Sequence, residues 1–149
     1  ARLANEVACQ TTAWDFTKAA DARTLFPYVD LTTMPETAAG EEVPGAVEDI
    51  RANIQYLHER LLGERLEVDS PEVDRTYALF LDLWRGGFDD VASEAEDDWL
   101  PWQCQGRVNP NTGEELAEAE RIQTDENYTV RAWMGVMVHL LSDYRFLYE

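Results

Sequence analysis

Two histidines, two cysteines and a crowd of carboxylates are the side chains here that could do chemistry. His139 precedes Asp143 by four residues, which places both on one face of a helix. There an imidazole and its orienting acid could work as a general base. The plainer reading is a partly buried histidine satisfied by a neighbouring acid. His58 sits beside an apolar stripe, between Leu57 and Glu59. A dispersed catalytic site would have to be assembled from His139, Asp143 and His58. Metal motifs are missing: Gln55 and Val136 stand three residues before the histidines, where a di-iron bundle needs Glu, and His58-Glu59 lacks a second His four residues on. Ser70, Ser93 and Ser142 lie outside any Gly-x-Ser-x-Gly, and no phosphate-cradling glycine loop is present. No cofactor and no catalytic residue is therefore expected.

Cys9 and Cys104 lack a basic sequence neighbour that would activate a thiolate, and they form neither Cys-x-x-Cys nor a haem attachment site. A disulfide tying the N-terminal segment to the middle of the chain is expected; two unrelated free thiols are the alternative. The acidic run from Asp89 to Asp98 offers oxygens for Ca²⁺ but not in EF-hand spacing, so a solvated acidic face is the simpler reading. Asn127-Tyr128-Thr129 matches a glycosylation sequon, a short match that arises easily by accident. Trp99 and Trp102 bracket Leu100-Pro101 close to Cys104. They are expected to pack over the core beside the bridge; the alternative is an aromatic anchor for a partner, since Trp is enriched at interface hot spots.

Thirty acidic residues against twelve basic ones give a net charge of −18 over 149 residues. Such a chain is repelled by phosphate backbones and anionic lipid, which argues against nucleic acid and membrane-surface partners. Protein partners and cations on the acidic surface remain. The basic residues are almost all Arg, as in a GC-rich genome, and the acidity would also suit high salt. With 45% apolar and 11% aromatic residues the chain has the means for a core, so the charge decorates a folded body. No apolar run is long enough to span a bilayer, and membrane insertion is not expected. Ala1 opens an ordinary stretch without an initiator Met. Removal of a signal peptide or pro-segment, excision from a larger parent or an arbitrary boundary would each fit. With the cysteine pair, this favours a periplasmic or extracellular location after processing.

The periodicity predicts a single all-α domain over 1–149: an irregular N-terminal segment, 1–44, in which Ala1–Cys9 could form a short helix, then a helical core, 45–149. Val47, Ile50, Ile54, Leu57 and Leu61 trace one helical face, with Pro44 at the start and Gly63 at the end. A second helix begins at Asp69 or Ser70 and Pro71. It carries Val73, Tyr77, Phe80, Leu81 and Trp84, and is expected to stop at Arg85-Gly86-Gly87. The short connection favours an antiparallel αα-hairpin. The hairpin is expected to pack on a long last helix, capped by Asp125 and spanning Asn127 to Tyr148. Its wide stripe is Val130, Trp133, Met134, Met137, Leu140, Leu141, Tyr144 and Leu147. Long ordered loops fill 88–125. Leu57, Leu61, Tyr77, Phe80, Trp84, Trp133, Met137 and Leu141 are the expected core.

Leu57-His-Glu-Arg-Leu-Leu-Gly-Glu64, Asp69-Ser-Pro-Glu-Val73, Tyr77-Ala-Leu-Phe80 and Leu140-Leu-Ser-Asp-Tyr-Arg-Phe-Leu-Tyr-Glu149 resemble helical segments of large secreted planctomycete and myxobacterial proteins. These are uncharacterised helical domains that accompany cytochrome c modules. The resemblance implies export and no defined activity, so no site residue is carried over from it. The expectation is a non-catalytic interaction or accessory module of an exported assembly, binding a protein partner through Trp99 and Trp102. An enzyme built around His139, Asp143 and His58, or a calcium-dependent binding protein, is the alternative.

Overall fold

The structure, a computed structural model, describes residues 2–148, with side-chain surroundings from Leu3 to Asp143. Its helices are α1 (Arg2–Phe16), α2 (Pro44–Leu62), α3 (Pro71–Ala92) and α4 (Thr129–Tyr148). Among the described residues the connections hold short 3-10 turns and isolated β-bridges but no strand. The fold is all-α.

Local chemistry sets the ends of these helices. Gly63 closes α2 at φ +69°; its N–H returns to the Glu59 carbonyl at 2.9 Å, and the following Glu64 N–H returns to the His58 carbonyl at 3.2 Å. Ser70 caps α3 by accepting from the Val73 N–H at 3.3 Å, with Pro71 in the first turn. Asp125 serves α4: its carboxylate accepts from the N–H groups of Val130 at 3.0 Å and Arg131 at 2.9 Å.

Helices α2 and α3, joined by a short connection, pack on each other and on α4, and α1 packs on α4 as well. Ile50, Ile54, Leu57, Val73, Phe80, Trp84, Val130, Trp133, Val136, Met137 and Leu140 form the core with Phe16 and Phe26. Leu61, Tyr77 and Leu141 are only partly buried. Tyr144 and Leu147 lie outside the described side chains.

The sequence reading needs correction in two elements. The segment 1–44 is not irregular throughout, because α1 runs to Phe16. Its inward face is Ala4, Ala8, Thr12, Ala13, Asp15 and Phe16, small or polar except at the end, so its hydrophobic period is faint. Nor does α3 stop at Gly86-Gly87; it continues to Ala92. Gly87 is buried under Tyr128, and a Cβ there would run into the Tyr128 ring. That glycine permits a close approach and does not end the helix.

Buried polar side chains fix the stretch between α1 and α2. Asp15, 1% exposed, accepts from the N–H groups of Thr24, Leu25 and Phe26 at 2.8–3.0 Å. Asn53, fully buried on α2, accepts from the Tyr28 N–H and donates to the Leu25 carbonyl. Thr129 donates to the Leu31 carbonyl at 2.7 Å. Further on, Glu36 receives both arms of the Arg85 guanidinium, at 2.9 and 2.5 Å. Those bonds, helped by the positive charge, hold its carboxyl below the usual value of 4.5.

Two stability tests follow from these contacts. Gly87→Ala is expected to destabilise the fold by about 1–3 kcal/mol in urea denaturation. Gly86→Ala, one residue away with open space around it, should stabilise by about 0.5–1 kcal/mol. The Glu36 carboxyl has a lowered folded-state pKa, so its contribution is complete above 4.5 and is lost as pH falls through the folded value. Glu36→Gln should therefore melt below the parent at neutral pH, the gap closing as the solution is acidified. Thermal unfolding across a pH series measures it.

Candidate functional site

The residues that could do chemistry converge at two places. One is a cleft of about 350 Å³, lined by His58, Glu64, Glu72, Arg75, Thr76, Leu79, His139 and Asp143. Both histidines and Asp143 thus share one cavity wall. His58 is 5% exposed; its Nδ1 lies 3.0 Å from Glu64 Oε1 and its Nε2 2.9 Å from Thr76 Oγ1. His139 Nε2 is 3.7 Å from Asp143 Oδ2, beyond hydrogen-bond distance, and both side chains are about half exposed.

The position of His58 on α2 explains its bonds. Arg51, Gln55 and His58 follow at i, i+4 and i+7 along one face. Arg51 donates to the Val68 carbonyl and pairs with Asp74, Gln55 donates to the Leu66 carbonyl, and His58 meets Glu64. The three form a row of fasteners gripping the connection between α2 and α3. Thr76 completes the His58 network, but it is 2% exposed and its hydroxyl donates back to the Glu72 carbonyl at 3.2 Å. It is a helix-buried link and is not presented to a substrate. Among the described residues no group of three or more His, Cys, Asp or Glu could hold a metal ion.

The second place is the segment from Trp99 to Gly106. Cys9 of α1 and Cys104 form a disulfide across 95 residues. Next to it Gly106, at φ +67°, presses against α1; a Cβ there would stand 2.7 Å from Thr17 Cγ2 and 2.9 Å from the Ala13 carbonyl oxygen. Leu100 is buried, and its N–H donates to the Gln123 carbonyl at 2.9 Å. The buried Gln105 donates its amide to the Leu100 carbonyl at 2.9 Å. Trp99 pairs with Thr124 in a β-bridge, and residues 102–104 form a 3-10 turn.

On this braced backbone the two indoles point outward. Trp99 is 53% and Trp102 61% exposed. The expectation that they pack over the core is overturned: Leu100 and Cys104 supply the inward anchors, one bonded to Gln123 and the other to Cys9, and the indoles stay on the outside. The Arg107 guanidinium stacks on the Trp102 ring at 3.4 Å and reaches Glu115 at 3.2 Å. A hollow of about 230 Å³ beside it is lined by Gln10, Gln103, Gly106, Arg107, Val108 and Pro110.

Comparison with known protein families, with curated proteins and with solved structures finds no match for this chain. Its function must be read from these two places. No helix among the described residues is long and apolar enough to cross a membrane. The sequon is built into the fold. Asn127 donates to the Leu31 carbonyl and accepts at its own carbonyl from the Trp84 indole, while Thr129 is fully buried.

Intact mass with and without reductant tests the bridge. Alkylation is expected to add nothing until the protein is reduced. Reduction should then cost about 4–5 kcal/mol of stability in the chain-entropy account of so long a loop.

Proposed function

We propose that this chain is a non-catalytic binding module of an exported protein assembly, holding a protein partner at the ledge around Trp99 and Trp102. One observation carries the reading: two tryptophans more than half exposed, four positions from first to last, on backbone braced by a disulfide and buried neighbours. Tryptophan is normally largely buried, and exposed large apolar side chains grouped together mark interaction sites. Bracing matters as much as exposure. A side chain already held in its bound position gives up less freedom on binding, so more of its contact area appears as affinity. The disulfide supports export, because such bonds persist in oxidising compartments.

The histidine cleft supports a second, enzymatic reading, since it does gather His58, His139 and Asp143. Against it, both ring nitrogens of His58 are engaged within the fold, one by Glu64 of the α2–α3 connection and the other by Thr76 of α3.

One experiment separates the two. The native complex is isolated from the source, and its partner is rebound to variants of matched helicity. Trp99→Ala with Trp102→Ala should weaken binding by about 2 kcal/mol or more, while His58→Gln with His139→Gln leaves it intact. A folded histidine variant that loses function, beside a tryptophan variant that keeps it, replaces the module with the enzyme.

A further inference from the structure

An acidic hollow is built by the residues that immediately precede Trp99 in the chain. The hollow, of about 470 Å³, is lined by Val91, Glu94, Ala95, Glu96, Asp97 and Asp98. Asp97 joins it to the ledge, because its carboxylate accepts from the Trp99 N–H at 2.8 Å. Val91 belongs to the last turn of α3, so the negative end of that helix dipole adds to the carboxylates.

Two of the chain's own arginines already use this chemistry. Arg131 pairs with Glu96 at 3.2 Å, donates to the Asp97 carbonyl at 3.0 Å and lies 4.3 Å from the centre of the Tyr128 ring. Arg107 combines the face of Trp102 with Glu115 in the same way. Each guanidinium stacks on an aromatic face while a carboxylate takes its N–H groups, an arrangement that lysine reproduces poorly. Trp99 has the exposed indole and the neighbouring carboxylates, but among the described residues no arginine stacks on it.

We propose that the partner supplies that arginine: a basic, extended segment whose guanidinium lies on the Trp99 indole and bonds to Glu94 and Asp98. The inference rests on the module reading above and adds the chemistry of the partner. Charge selects the occupant. A second copy of the chain, at −18, would be repelled, as would nucleic acid or an anionic membrane. A cationic polypeptide is drawn in by the whole field and orientated by the local one.

The full chain is titrated with a short arginine-bearing peptide, and with the same peptide carrying Gln for every Arg, by tryptophan fluorescence and calorimetry at low and high salt. The arginine peptide should bind, more weakly in salt, and the Gln peptide should not. Trp99→Ala should weaken the arginine peptide about tenfold. Glu94→Gln with Asp98→Asn should weaken it and flatten its salt dependence. Glu114→Gln with Glu118→Gln, on another acidic stretch, should change neither. Circular dichroism confirms that each variant is folded. The inference is overturned if the arginine peptide fails to bind, if the Gln peptide binds equally, if Trp99→Ala has no effect, or if the Glu114 and Glu118 changes cost as much as those in the hollow. Should the native partner still depend on Trp99 and Trp102 in any of those cases, the module stands and only its cationic partner is withdrawn. A native partner indifferent to both tryptophans removes the module itself.

Discussion

Trp133 lies fully buried between Phe26 and Phe80, with ring centroids 5.3 and 4.6 Å away, and Phe26 stacks in turn on Phe16 at 4.7 Å. This aromatic column joins α1, the irregular segment after it, α3 and α4 in one contact chain. It works because α4 is apolar around most of its circumference, with Val130, Val136, Met137 and Leu140 buried beside the indole. A helix of that kind must be covered on more than one side. Helices α2 and α3 cover part of it, and α1 covers another part. The disulfide then secures α1 at a second point, against the segment that follows α3.

Covering α4 with non-helical chain creates a polar problem, because loop backbone pressed on a core leaves N–H and C=O groups to be satisfied. The chain answers it with side chains projecting from the helices. Asp15 gathers consecutive N–H groups, Asn53 bonds both ways, and Tyr56 donates to the Thr24 carbonyl at 2.7 Å. Arg23, with its side chain 7% exposed, donates to the carbonyls of Lys18 and Val29 and stacks near Phe16. At the other end Asp125 and Arg131 perform the same service for the start of α4 and the acidic segment before Trp99. Burial, aided by the nearby Glu96, pushes the Tyr128 phenol above its ordinary range, so it stays neutral beneath Arg131.

The two candidate places differ in how their polar groups are used. In the cleft the bonds turn inward: Glu64 and Thr76 each bond to His58, and the row that includes Arg51 and Gln55 holds a loop. At the ledge the bonds and the disulfide hold the backbone, and the indoles remain outside. A site that spends its hydrogen bonds on its own chain has less to offer a ligand, whereas one that braces its backbone from behind keeps its outer surface available. The −18 charge acts on both, and at the ledge it meets exposed aromatic faces of the kind that guanidinium groups occupy at Trp102 and Tyr128.

Sequence alone determined the class of fold, the two middle helices and the last helix, because Ile50, Ile54 and Leu57, then Val73, Phe80 and Trp84, then Val130, Trp133 and Met137 repeat with the helical period. The caps at Gly63, Ser70 and Asp125 were legible for the same reason: each acts on backbone only a few residues away. The cysteine count pointed to the bridge. Tertiary structure decided what depends on a partner distant in sequence. The α1 face of Ala4, Ala8 and Thr12 carries too little apolar contrast to declare itself until α4 is set against it. Gly87 reads as a stop until Tyr128 comes to rest on it. Asn53 and Asp15 break an apolar pattern on paper and prove to be the supports of a loop. Above all, nothing local distinguishes an inward tryptophan from an outward one. Only the anchoring of Leu100 to Gln123 and of Cys104 to Cys9 fixes which side of the segment meets the core, and so leaves Trp99 and Trp102 facing solvent.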